Sequence, residues 1–305
     1  YNASIFVLIN FKRIIMKNYK KIKQLSVGLL FSLAIISCTN DRDNDSVPNN
    51  SNQMAYDAAN VTVGSQLYND FTKTPGFDGP SSPNVSLDDI VNFKDFYRCK
   101  NCHGWDLKAR FASYINRGPK ANRPDVSTVQ LVNFGNADIT ELFNKIKNTG
   151  GAAVDPQRTA DGLNPSLGGN NHPDYGTILT DDQIWDLVKF LREGALDVDQ
   201  LYTIELSGAY PTGKRSFANV GMGGDLNLGQ NFYTKNCASC HGANGTSIDI
   251  SGASLGKLMR TKPYEVQHKV LSGELGTSMG PTPATLEEMK GLLRYASDTT
   301  AFPDL

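Results

Sequence analysis

The chain has 305 residues, 39 % of them hydrophobic, with 30 Lys and Arg against 31 Asp and Glu, an ordinary globular composition with room for two modest domains. Lys12, Arg13, Lys17, Lys20, Lys21 and Lys23 are the only charged residues before Cys38, so the part that follows carries about −7. An acidic surface of that kind argues against nucleic acid and favours basic or neutral partners.

Residues 1–37 read as an address. Met16 is followed by a basic stretch from Lys17 to Lys23, an apolar stretch from Leu25 to Ile36, then Ser37 and Cys38, the layout of a secretory signal. Tyr1 to Ile15 read as lying upstream of the expressed product. The apolar part is short of the roughly 20 residues that a membrane-spanning helix needs. Ile35-Ile36-Ser37-Cys38 resembles the bacterial lipobox, which implies that Cys38 becomes a diacylated N-terminus. The alternative is a buried free thiol at the end of an uncleaved helix. The expectation is an exported protein, lipid-anchored in the periplasm or at the outer membrane, with surface exposure left open. Residues 38–60, polar and acidic at their start, read as a flexible tether. Asp41, Asp43 and Asp45 resemble the acidic stretches behind the lipidated Cys of some surface lipoproteins.

Two pentapeptides follow, Cys99-Lys-Asn-Cys102-His103 and Cys237-Ala-Ser-Cys240-His241. Each is the C-x-x-C-H signature of covalently attached haem c. On a helical turn residues three and four apart share a face, so both thiols can form thioethers while the next imidazole meets iron. A disulfide, a redox dithiol or a zinc knuckle are the alternatives. A zinc ribbon spaces its Cys pairs about 15–20 residues apart, whereas these lie more than a hundred apart. Neither dithiol reading explains a His directly after both pairs.

The chain presents one plan twice. Leu87 to Arg98 lead into the first motif. Ile139, Leu142, Phe143 and Ile146 then mark a helix by their i, i+3, i+4, i+7 spacing, ended by Gly150 and Gly151. Thr180 to Gln183 resembles a capping box, and Ile184, Trp185, Leu187, Val188 and Leu191 supply the buried stripe of a last helix. In the second copy Leu226 to Ala238 form an amphipathic run into the motif, Tyr264 to Ser272 a further helix, Met279-Gly280-Pro281 a loop, and Thr285 opens a last helix through Tyr295. The division is 61–200 for the first domain, 201–222 for a linker with a turn at Tyr210 to Gly213, and 223–305 for the second domain. Gly273 to Met279 is six residues and Gly150 to His172 twenty-two, so the first copy carries a long distal-loop insertion.

These features resemble the class I cytochrome c family, which implies an all-α fold of two cytochrome c-like helical domains in tandem. The resemblance is specific over Gly224 to Ser297, where Gly229 and Tyr233 face Tyr295 as the family's helix crossing requires. Over Leu87 to Glu193 it covers the motif and the helix order, but Val91 stands where Gly229 stands in the second copy. It implies two covalently attached haem c groups, on Cys99, Cys102, Cys237 and Cys240, with His103 and His241 as proximal ligands. In that family a Met sulfur is the second axial ligand, and Met279 occupies its place; Met259 sits too close to the middle helix and Met289 lies inside the last one. Between His103 and the end of its domain there is no Met, and His172 is the strong-field side chain in the corresponding loop. An iron left five-coordinate, or a ligand from Met54 or a Lys, are the alternatives. His268, among Glu265, Gln267 and Lys269, reads as a surface residue.

Thioether sulfur raises the potential of haem iron relative to a second imidazole. The first site is therefore expected below the second. The leading reading is a lipid-anchored single-electron carrier that meets redox partner proteins of the cell envelope at exposed haem edges near each motif. It has no catalytic residues, and its oligomeric state is open. The alternatives are a dihaem redox enzyme resembling cytochrome c peroxidases or thiosulfate dehydrogenases, or the haem subunit of a larger assembly.

Overall fold

The computed structural model describes residues 51–83, 98–109, 126, 129–132, 134–150, 172–209 and 212–304. The first half opens with α1 (Ser51–Ala58) and α2 (Val61–Asp70). Asn60 starts α2 by accepting the backbone N–H groups of Thr62 and Val63 at 2.9 and 3.2 Å, donors that have no partner within a helix. The first motif is the short helix α3 (Cys99–His103). Helix α4 (Ile139–Lys147) is capped by Asp138 and stopped by Asn148 in the left-handed region, φ 49°. Helix α5 (Asp181–Lys189) has the capping box expected of Thr180 and Gln183 and runs on into one π turn, Phe190–Gly194.

The second half begins with an antiparallel hairpin, β1 (Thr203–Ser207) and β2 (Lys214–Ala218), in register Thr203 to Ala218. Five helices follow: α6 (Leu226–Asn236), α7 (Ala238–His241), α8 (Leu255–Thr261), α9 (Pro263–Ser272) and α10 (Leu286–Ala296), the last opened by a capping box of Thr285 and Glu288. Among the described residues the fold is thus helical apart from this one small sheet. No described helix is long and apolar enough to cross a membrane.

Two hydrophobic cores result. One gathers Leu67, Phe71, Ile178, Ile184 and Val188, with Phe143 stacked on Trp185 at 4.3 Å. The other gathers Phe232, Met259, Met289, Leu292 and Phe302. In each, the helix carrying an early glycine crosses the last helix with backbone against backbone. A methyl group at Gly64 of α2 would lie 1.9 Å from the Asp186 carbonyl oxygen of α5, and one at Gly229 of α6 would lie 2.0 Å from that of Gly291 on α10. No side chain can stand at either place, and the crossing follows from that.

Four expectations change here. The helix that crosses α5 is α2, with Gly64 as its small residue, in place of a helix over Leu87 to Arg98 with Val91; residues 84–97 lie outside those described, as do the signal and Cys38. The tether to residue 60 contains α1, held because Tyr56 is buried and its hydroxyl donates to Glu193. The linker folds as the hairpin, whose Phe217 packs on Tyr202 and Tyr264 at 5.2 and 5.4 Å. His268 is buried at 2 % exposure, with its ring 5.0 Å from Trp105 and 5.8 Å from both Tyr68 and Phe190. It is where α9 of the second half meets α2, the post-motif turn and the π turn of the first. Gln66 donates to the Ser272 carbonyl at 2.9 Å and Gln267 to the Trp105 carbonyl at 3.1 Å across this contact.

Gly64→Ala and Gly229→Ala are each expected to destabilise by about 1–3 kcal/mol or more through overpacking. Gly135→Ala, whose nearest foreign atom would be 3.9 Å away, should stay within about 0.5 kcal/mol in the same chemical denaturation series. Burial, then the charges of Lys100 and Lys269, holds the His268 imidazole down to about 3 from 6.5, against the pull of the Ser65 carbonyl. The folded state therefore keeps it neutral while the unfolded chain takes up a proton, and its stabilisation, complete above about pH 6.5, is lost as pH falls towards 3. The wild type should lose up to about 1.4 kcal/mol per pH unit more than His268→Phe over that window.

Candidate haem sites

Both motifs form the same turn. The helix carrying each ends at a glycine with positive φ, Gly104 at 79° and Gly242 at 79°, whose N–H bonds back to Lys100 and Ala238 respectively, both at 2.9 Å. Beyond that glycine the chain folds back under the histidine: the His103 carbonyl accepts the N–H of Ala109 at 2.8 Å, and the His241 carbonyl that of Ser247 at 3.1 Å. The crossing helices hold these turns from behind. Tyr68 of α2 donates its hydroxyl to the Gly104 carbonyl at 2.6 Å, and Tyr233 of α6 does the same to Gly242 at 2.6 Å. The four-residue step from Gly64 to Tyr68, repeated from Gly229 to Tyr233, puts the glycine on the crossing and the tyrosine one turn on, over the motif.

The thiols lie in surroundings that keep them protonated. Burial pushes Cys99 up to about 12, against a bond from Tyr175, and Cys237 up to about 11, with Cys240 adding to the effect. A reactive dithiol or a zinc site needs the opposite, a lowered thiol pKa. Among the described residues no three His, Cys, Asp or Glu side chains gather as they would around a bare metal ion. Among the described residues, none of the four motif cysteines is in a disulfide.

The histidines fit a haem iron. Burial lowers the pKa of His103 to about 3, with the charge of His172 adding to the shift. Burial likewise takes His172 down to about 4 and lowers His241. The Nδ1 atoms of His103 and His241 are buried without a hydrogen-bond partner, and both imidazoles are neutral, the form in which a ring nitrogen can bind iron. The loop end that carries His172 is pinned: Asn148 donates to its carbonyl at 2.5 Å, the Tyr175 ring meets its ring edge-on at 5.2 Å, and Asp174 accepts the Gly150 N–H at 2.9 Å. Because Tyr175 also bonds Cys99, one aromatic residue ties this loop to the attachment helix.

In the second half Met279 is half-buried in a loop folded against the end of α9, where Glu274 donates to the Met279 carbonyl at 2.9 Å and the Met279 N–H reaches the Thr277 hydroxyl at 3.1 Å. Met259 and Met289 are core residues, 1 % and 0 % exposed. Met54, an alternative ligand for the first site, lies 67 % exposed on α1. Sequence reasoning missed Tyr68, Tyr175 and Gly64; the recurrence of glycine four residues before tyrosine in both halves was the available signal.

Residues 91–195 match the family model described as Cytochrome c, and residues 224–295 match the one described as Cytochrome C oxidase, cbb3-type, subunit III. No curated protein and no solved structure matches the chain. Two matches to cytochrome c-type domains support a c-type cytochrome, imply covalently bound haem c, and support an electron-transfer protein. The first match begins downstream of α2, so the helix that crosses α5 lies outside it.

Tyr68→Phe and Tyr233→Phe each leave a buried carbonyl without its donor and are expected to cost about 1–3 kcal/mol. The loss should be larger for Tyr68→Phe, whose bond is the more deeply buried of the two, in equilibrium unfolding of each variant.

Proposed function

We propose that the protein is a dihaem c-type cytochrome, built from two class I cytochrome c-like domains in tandem, that carries single electrons in the cell envelope from a lipid anchor at Cys38. Cys99 and Cys102 with His103, and Cys237 and Cys240 with His241, hold one haem c each. The observation that carries this reading is the repeated attachment turn, the same glycine stop and the same tyrosine bond in both halves. When bound, the haem groups supply reversible one-electron iron chemistry.

The chain's own residues set what that chemistry does. His172, buried beside His103 and held at its carbonyl by Asn148, completes a bis-histidine set, which favours the ferric state. Met279 and His241 would together hold the second haem iron as a histidine–methionine set, which raises the potential. The first site therefore sits below the second, and with both ligand sets complete neither leaves an opening for a substrate. The net charge of about −7 beyond Cys38 favours basic or neutral partner proteins by charge complementarity.

Correctly matured protein should bind two haem c per chain and show two low-spin ferric species, one with the near-infrared band of a sulfur ligand. His172→Ala should turn the first site alone high-spin, and Met279→Ala should abolish the near-infrared band alone. An unchanged spectrum in either variant would assign that ligand elsewhere. High-spin iron that binds peroxide in the wild type would replace the carrier by an enzyme.

A further inference from the structure

The two attachment turns match in backbone but not in surroundings. At the second motif Ser239 and Cys240 are exposed, whereas at the first Asn101, in the place of Ser239, is 5 % exposed. Lys100 lies half-buried beside it, with its ammonium 2.6 Å from the Asn69 side-chain oxygen and 3.8 Å from the centre of the Trp105 ring. Trp105 in turn packs on the second core and against His268 at 5.0 Å, and its carbonyl accepts Gln267. Both partners belong to α9. Val266 and Val270 of that helix join the second core, and its C-terminal end carries the turn at Gly273 against which the Met279 loop folds. One helix, about 10–12 Å across with its side chains, therefore stands between the first attachment turn and the second pocket.

We infer that the first attachment edge is an internal junction, closed by Trp105 and His268 against α9, through which the two haem sites exchange electrons, rather than a face presented to partner proteins. This rests on the dihaem carrier reading and deepens it. The step is a single-electron exchange: when an outer-sphere one-electron acceptor oxidises the site at Cys237–His241, the site at Cys99–His103 gives up one electron and the second site regains it. No bond is made or broken and no proton moves. The packed rings supply continuous matter where a docking edge would have water.

The junction is read first by amine labelling of the folded holoprotein with an acetylating reagent and peptide mass spectrometry. Lys100 reports on the junction because its amine lies in it, on the Asn69 side-chain oxygen and over the Trp105 ring. It should stay unlabelled under conditions that label exposed Lys235, and become labelled in Trp105→Ala and His268→Ala. Its function is read by flash photo-oxidation of fully reduced holoprotein with tris(bipyridine)ruthenium. Oxidation of the second site should be followed by its re-reduction from the first at a rate independent of protein concentration. That rate should fall by about tenfold or more in His268→Ala, where truncation leaves a void in the packing, with both ligand spectra unchanged. A phase proportional to protein concentration, a rate unaltered in the variants, or wild-type Lys100 labelled as fast as Lys235 would overturn the junction. Fewer than two haem groups per chain would instead sink the carrier reading, while the labelling result would still report on the junction. Should the alanine variants fail to fold, Gln267→Ala, which removes the bond to Trp105 and one to the Tyr264 carbonyl of its own helix, should raise Lys100 labelling, and the wild-type concentration series decides the kinetic claim without any variant.

Discussion

Each half of this protein depends on a close helix crossing that only a glycine permits, locked by a tyrosine one turn further on. At Gly64 and Gly229 the helices touch through their backbones, so the relative position of the two helices is set by main-chain contact rather than by adaptable side chains. Tyr68 and Tyr233 carry that fixed position forward to the carbonyl of the glycine after each motif histidine. The proximal imidazole is thus placed by a chain of contacts running from helix packing, through one buried hydrogen bond, to the attachment turn. A side chain at either glycine would act on the histidine without touching it.

On this common frame the two sites are given different surroundings. The first is deeply enclosed: the Cys99 thiol and the His103 and His172 imidazoles are all driven towards their neutral forms by burial. The second stays closer to solvent, with Cys240 exposed and His241 less strongly shifted. On the loop side Asn148 and Asp174 fix the backbone around His172.

The sequence made the local structure around each motif legible because the signals there are local. Thr180 with Gln183, and Thr285 with Glu288, form the capping boxes that their spacing implies, and the stripe of Ile184, Leu187 and Val188 is buried as its period requires. Tyr233 faces Tyr295 with ring centres 6.0 Å apart, in line with the expected crossing. What escaped was the long-range part. The N-terminal helix of the first half was sought directly before the motif, because in the second half α6 runs straight into it; an insertion between Asp70 and Cys99 separates the two, and adjacency pointed to the wrong segment. His268 reads as a surface residue because its neighbours in sequence, Glu265 and Lys269, are charged. It is buried because α9 packs on both of its faces, one against its own core and one against the other half, and a face that carries Gln267 and His268 leaves no apolar stripe to detect. The hairpin was hidden for a similar reason: its burial comes from Phe217 and Ile204 lying on α9 and the second core, not from alternation along a strand.

The π turn at Phe190–Gly194 carries a consequence of its own. It widens the end of α5 so that Phe190 meets His268 while Glu193, on the same turn, accepts the Tyr56 hydroxyl from α1. Each residue of a helix rotates the next by about 100°, so the additional residue in this turn sets the angular phase at which both contacts occur together. The leading helix of the chain and the seam between its halves are therefore geared through one wide turn, and a single-residue deletion there would disengage the two from each other even if every contacting side chain were kept.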